Sequence, residues 1–248
     1  RELEYSQHEA KALINLGVVY LQQGRIDAAL NRFDEARQVS LVEGDITLLA
    51  VALENLAVLY YRKQDYRSAL FHYHKSAATS RRLGRHDQFS TTILNLGDLY
   101  LTVGDLVKCR RLTVIARNYI ERNRYRTLEP QLWTLEGDIA RFEGDHEAAK
   151  KFYTTAESLI RQGSITNQRL IPLLLAWAEL HLVHNQLDEA RVKLDDALGM
   201  VSSMHEGLAL RLRITQGSIL SEQGDLAKAR LELDSAVHGA RQRQDLEA

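Results

Sequence analysis

The sequence predicts an all-α protein, an α-solenoid of six helical hairpins. Three observations carry that expectation. Small residues recur at Ala29, Ala69, Cys109, Ala149, Ala190 and Ala229, with gaps of 40, 40, 40, 41 and 39 residues. A fixed period of this size marks a repeat array, in which each unit buries its apolar face against its neighbours. Within a unit, Leu13, Leu16, Gly17 and Tyr20 fall at i, i+3, i+4 and i+7, one face of a helix. No segment sustains the alternation of a strand.

The elements follow in order. Gly24 stops the first helix, since glycine tolerates the left-handed conformation that ends one. Ile26, Ala29, Leu30, Phe33 and Ala36 then form the second stripe, so residues 12–42 read as a helical hairpin. Gly104-Asp105, Gly144-Asp145 and Gly224-Asp225 repeat the turn, each pairing a stop with an N-cap for the next helix. Gln64-Asp65 and Asn185-Gln186 are weaker versions. Pro130 and Pro172 fall near the start of a first helix, where a missing N–H costs little. The predicted helices span 8–22, 26–42, 46–63, 66–83, 86–102, 106–123, 127–143, 146–161, 166–184, 187–203, 206–222 and 226–243. They pair into repeats at about 8–45, 46–85, 86–126, 127–165, 166–205 and 206–244 of one domain, 1–248.

Composition narrows the function. Hydrophobic residues make up 45% of the chain, and two prolines with 14 glycines leave no long flexible linker. A net charge of −1 gives no global attraction to nucleic acid or acidic membranes. A single cysteine excludes an internal disulfide and fits a reducing, cytoplasmic compartment. The longest apolar run, Leu170 to Leu175, is far short of a membrane span. The start at Arg1 and the tail Asp245-Leu246-Glu247-Ala248, which looks like another inter-repeat segment, suggest part of a larger protein.

The run Leu13-Ile14-Asn15-Leu16-Gly17-Val18-Val19-Tyr20, followed by Gly24, Ala29, Phe33 and Ala36, resembles the tetratricopeptide repeat. Leu53, Leu56, Ala57, Tyr60, Ala69 and Tyr73 match in the second unit. The third keeps Leu96, Gly97, Tyr100 and Ala116 but has Cys109 and Thr113 in place of alanine and an aromatic. Trp133, Gly137, Ala149, Tyr153 and Ala156 carry the fourth, and Ala178, Ala190 and Ala197 the fifth. In the sixth, Arg213 and Gln216 replace apolar residues. The resemblance implies a right-handed superhelix with a concave groove lined by the first helices. The 40-residue period resembles the long-helix variety of the spindle adaptor LGN, kinesin light chains and bacterial regulatory domains.

By that resemblance Asn15 faces the groove, one residue before packing position Leu16, and Asn55 and Asn95 occupy the same place. An amide both donates and accepts, so a row of them could hold a peptide backbone without reading its side chains. The other reading is that the asparagines brace the neighbouring repeat. Leu135, Ala176 and Thr215 end the row in the later units. Val18, Gln22, Glu54, Val58, Arg62, Asp98, Thr102, Asp138 and Arg141 would set specificity, the two arginines by pairing acidic side chains. Ile14, Val18, Asn55, Thr91 and Asn95 stand where a carboxylate clamp would need lysine and arginine.

Other constellations carry less. Lys108, Arg110, Arg111, Arg117, Arg122, Arg124 and Arg126 could contact nucleic acid but fall around the helix as a solvated face does. His72 and His74 point to different sides, and His181 and His184 lack further ligands, so no metal is expected. Cys109 replaces a buried alanine and reads as a packing residue. No phosphate loop or nucleophile elbow is present, and neither catalysis nor a cofactor is expected. The leading expectation is a scaffold that binds a protein or peptide segment in its groove. The alternative is a sensory or regulatory segment of a larger bacterial regulator, binding a small ligand or a neighbouring domain. Self-association through an uncapped end is a further option, with Arg213 and Gln216 as partial capping.

Overall fold

A computed structural model describes residues 2–163, 169–200 and 206–247, with side chains described over 8–163, 169–200 and 208–241. Twelve α-helices occur among the described residues: α1 (Glu2–Gln22), α2 (Ile26–Val42), α3 (Ile46–Arg62), α4 (Tyr66–Arg82), α5 (His86–Thr102), α6 (Leu106–Asn123), α7 (Glu129–Phe142), α8 (His146–Gln162), α9 (Leu170–Val183), α10 (Leu187–Gly199), α11 (Glu206–Glu222) and α12 (Leu226–Glu247). No strand occurs among them. The chain divides into two compact units, Arg1–Leu135 and Glu136–Ala248.

The turns explain the hairpins. Gly24, Gly104, Gly144 and Gly224 all have φ between 74° and 82°. Behind each, the very next N–H reaches back over the helix end: Arg25 to the carbonyl of Tyr20, Asp105 to Tyr100, Asp145 to Ala140 and Asp225 to Leu220, at 2.8–3.0 Å. That bond satisfies a carbonyl the helix leaves unpaired. Gln64 and Asn185 adopt the same left-handed φ, 62° and 56°, so the two weaker turns have the same geometry with a side chain present. Asp65, Asp105, Asp145 and Asp225 then cap the following helices through the N–H of Ser68, Lys108, Ala148 and Lys228.

Element boundaries differ from expectation in a few places. Helix α1 begins six residues earlier than the expected 8, and α12 runs to Glu247. The helix expected over 127–143 opens as a 3-10 turn, Arg126–Leu128, before α7 begins at Glu129. Pro130 has no N–H to bond the Arg126 carbonyl, so regular helical bonding cannot start there. Helix α9 begins at Leu170, with Pro172 in its first turn. The expected residues 166–168 and 201–203 lie outside the described residues.

In unit 1, Ile14, Ala29, Phe33, Ala36, Ala52, Leu56 and Leu59 form a core across α1, α2 and α3. Phe33, Ala29 and Ala36 are fully buried, as the second stripe requires. Phe33 sits against Gly17, where a Cβ would meet its ring at 2.5 Å. In the third hairpin Thr113 stands where the aromatic would be. Leu135 of α7 comes in instead, its Cδ2 3.0 Å from where a Gly97 Cβ would stand. Cys109 is free and fully buried, a packing residue as expected. In unit 2, Gly137 of α7 receives Tyr153 of α8. Helix α9 is buried nearly all round, from Leu170 to His181, which fits a helix apolar on every side.

Candidate functional site

In unit 1 the first helices of successive hairpins, α1, α3 and α5, carry the predicted groove residues. Asn15 and Gln22 are exposed, whereas Val18 packs against the core cluster and Val58 is half-buried. Asn55 turns its Nδ2 back to the carbonyl of Val51 in its own helix, at 3.0 Å. Asn95 reaches further: its Nδ2 donates to Glu54 Oε1 at 3.3 Å, and its Oδ1 accepts from Gln131 Nε2 at 2.8 Å. One amide thus ties α3, α5 and the start of α7 together. Thr102 donates to the Asp98 carbonyl and meets the Tyr61 hydroxyl at 3.0 Å. Arg62 is half-buried, and burial lowers its guanidinium from the ordinary value, partly offset by Tyr73.

Beside Asn95 lies a pocket of about 330 Å³, lined by Val51, Glu54, Arg85, Asp87, Gln88, Thr91, Tyr125, Thr127 and Leu128. Burial pushes the Glu54 carboxyl up to about 7, against the opposing pull of Gln88, Thr92 and Asn95 beside it, while Asp87 pushes it further up. Gln88 is 8% exposed, and neither its amide oxygen nor its nitrogen closes a hydrogen bond of ordinary geometry. Asp87 holds Arg85 at 3.4 Å. Sequence reasoning placed Glu54 and Asn95 in the groove but missed Gln88, Asp87, Tyr125 and Gln131. The available signal was spacing, since Gln88 lies two turns before Asn95 on one helix and shares its face.

Unit 2 has a chain of charges on its own first helices. Tyr153 Oη donates to Asp138 Oδ1 at 2.7 Å. Arg141 approaches Asp138 at 3.7 Å and Glu179 at 3.8 Å, and Arg211 binds Glu179 at 2.7 Å. Burial pushes the Asp138 carboxyl up, and the Tyr153 hydroxyl opposes that. The two predicted residues, Asp138 and Arg141, are therefore brought together and bonded within the chain. Glu179→Ala removes the acceptor from two arginines and is expected to lower stability by about 1 kcal/mol, more at low salt. Urea denaturation at two ionic strengths measures it.

Two of the basic residues of α6 are also engaged: Lys108 pairs with Asp105 at 2.8 Å, and Arg117 lies over the Trp133 ring. His72 stacks on Tyr60 and His74 meets the Tyr100 hydroxyl at 2.9 Å. Among the described residues no group of three His, Cys, Asp or Glu side chains is placed to hold a metal ion. Nor is any helix among them long and apolar enough to cross a membrane.

Paired helices with a left-handed turn, a glycine or alanine facing a bulky side chain, and polar residues along the first helices define a helical-hairpin repeat protein. Tetratricopeptide repeat models match residues 10–35 and 130–162, so the chain carries tetratricopeptide repeats in each unit, within an all-α fold of the solenoid type. Comparison with curated proteins gives no match. Among solved structures, NprR in complex with its cognate peptide NprX has a TM-score of 0.74 at 16% identity, covering 98% of this chain and 70% of that one. A Rap protein complexed with Competence and Sporulation Factor has a TM-score of 0.72 at 14% identity, covering 96% and 70%. BtubC from P. vanneervenii has a TM-score of 0.57 at 20% identity, covering 90% and 92%. At these identities the likeness is one of fold.

Proposed function

We propose that the chain is a protein-interaction module that holds a segment of another protein or peptide on the first-helix face of unit 1. The observation that carries this is the pocket beside Asn95, where Glu54, Asp87 and Gln88 present polar atoms next to the apolar walls of Val51 and Leu128. A concave site that sets placed polar groups beside an apolar wall is the usual make-up of a recognition site, and here the polar groups are the majority. The fold is shared with NprR and a Rap protein, each solved with a bound peptide or factor, which supports the reading. Asn15 stands exposed along the same helix series, and Asn55 keeps its carbonyl oxygen as an acceptor. Both suit contact with an extended backbone. Val18, Gln22, Val58, Arg62, Asp98 and Thr102 flank them as specificity positions; Asp138 and Arg141 are candidate contact positions of unit 2 taken by itself.

The test uses a peptide selected for binding to the chain. Asn15→Ala with Asn55→Ala is expected to weaken it about tenfold, roughly one to two lost hydrogen bonds, with the helical circular dichroism signal intact. Adding Asn95→Ala should weaken it further, because Glu54 and Gln131 lose their shared partner. Unchanged affinity in the triple variant would remove the asparagine contact from the proposal.

A further inference from the structure

The pocket beside Asn95 contains an imbalance that the general reading does not use. Glu54 has only neutral hydrogen-bonding neighbours: Asn95 donates to one oxygen at 3.3 Å, and no lysine or arginine pairs with it among the described residues. The single arginine lining the pocket, Arg85, is bonded to Asp87. Gln88, nine-tenths buried, faces the same space; its amide closes no hydrogen bond of ordinary geometry and has the Glu54 carboxyl beside it. A half-buried carboxyl without a cation and a buried amide whose bonds are not closed are each costly. Together in one open pocket they form an incomplete coordination shell.

We propose that this pocket is a subsite for a primary ammonium group, carried by the segment bound on the first-helix face. An ammonium has three donors and no acceptor. The remaining Glu54 oxygen, Gln88 Oε1 and the Thr91 hydroxyl supply three acceptors, while Val51, Leu128 and the Tyr125 ring give an apolar wall for an alkyl stem. A guanidinium fits less well. Its planar fork seeks a two-oxygen carboxylate face, and Asn95 already occupies one Glu54 oxygen. The inference rests on the first-helix face of unit 1 being the recognition surface.

Binding should depend on pH. The titratable and charged groups facing Glu54 are Asp87 and Arg85 from the α5 end, Tyr73 from α4 and Tyr125 ahead of α7. Glu54 itself is pushed up to about 7, so its ionised fraction rises about tenfold from pH 6 to pH 8. An ammonium ligand requires the ionised form and binds more tightly as pH rises through that range.

The probe is N-acetyl-lysine-N-methylamide, titrated into the full chain while the Gln88 side-chain amide signal is followed by NMR. A saturable shift is expected, about tenfold tighter at pH 8 than at pH 6, absent with the ε-acetylated probe and lost in Glu54→Gln. Glycinamide, titrated at pH 7, separates the sources. A response to the lysine probe alone assigns a lysine side chain, and a response to glycinamide alone assigns a chain's own α-ammonium; either supports the ammonium subsite. No saturable shift with either amine, an equal response to the acetylated probe, or unchanged binding in a folded Glu54→Gln variant overturns it. If both amines fail while a selected peptide still loses affinity in Asn15→Ala/Asn55→Ala, the subsite falls and the interaction face stands.

Discussion

Gly137→Ala is expected to lower stability by about 2 kcal/mol, seen as a lower urea midpoint with the helical signal retained. The new Cβ would lie 2.4 Å from both Cδ1 and Cε1 of Tyr153. That ring is fully buried, and its hydroxyl is fixed on Asp138 at 2.7 Å. Moving the ring aside breaks the bond and strips a buried carboxyl of its donor, so neither route out of the clash is cheap. The helix-propensity gain of alanine over glycine, about 1 kcal/mol, offsets only part of the cost. Gly97→Ala is the control. Its Cβ meets only the flexible end of Leu135 at 3.0 Å, with Thr113 at 3.9 Å, so a near-neutral change is expected there. Equal behaviour of the two variants would mean that the bulky side chain opposite the small one does not set the spacing of the hairpin.

That small-against-large contact explains why the hairpins were readable from sequence. Gly17 with Phe33 and Gly137 with Tyr153 each lie 16 residues apart across one turn, and the glycine turn with its aspartate cap is more local still. Such contacts are fixed by residues close in the chain. The links between hairpins are not. Glu54 and Asn95 are 41 residues apart and Arg141 and Glu179 are 38 apart, each about one repeat period, and each pair meets because successive first helices lie side by side. The period could have suggested those pairs. It could not give their register, because the 3-10 turn Arg126–Leu128 changes the connection ahead of α7 and brings Gln131 to Asn95 at a separation of 36. The same limit applies to the asparagine row. Position on the first-helix face was legible, but whether each amide points outward or back into the array depends on that register. Asn55 folds onto its own helix and Asn95 binds two neighbours, while Asn15 is exposed.

Glu54→Gln is expected to stabilise the chain at pH 8 by about 2 kcal/mol and to change it little at pH 4. The sign follows from burial. The Glu54 carboxyl rises from 4.5 to about 7 on folding, so between those values the folded state binds the proton that the unfolded chain has released. Stability contributed by this group is therefore full below about 4.5, falls as pH rises, and reaches its lowest level above about 7. At 1.36 kcal/mol per pH unit the change is at most about 3 kcal/mol, and partial solvent access reduces it to about 2. Glutamine keeps an oxygen for the Asn95 donor and removes the charge. Other groups act in both proteins alike and cancel. The depressed carboxyls of Asp34, Asp65, Asp87, Asp105 and Asp225 cost stability only as pH falls below their unfolded range. Burial lowers His72 and His74, so each charges more readily in the unfolded chain and favours folding as pH rises towards 6.5. Urea denaturation of both proteins at pH 4, 6 and 8 reads the difference directly. A gap that does not grow with pH would mean that Glu54 is solvated like an ordinary surface carboxyl. A gap that grows and then narrows when the lysine probe is added would show a bound cation supplying the charge partner that the fold leaves out.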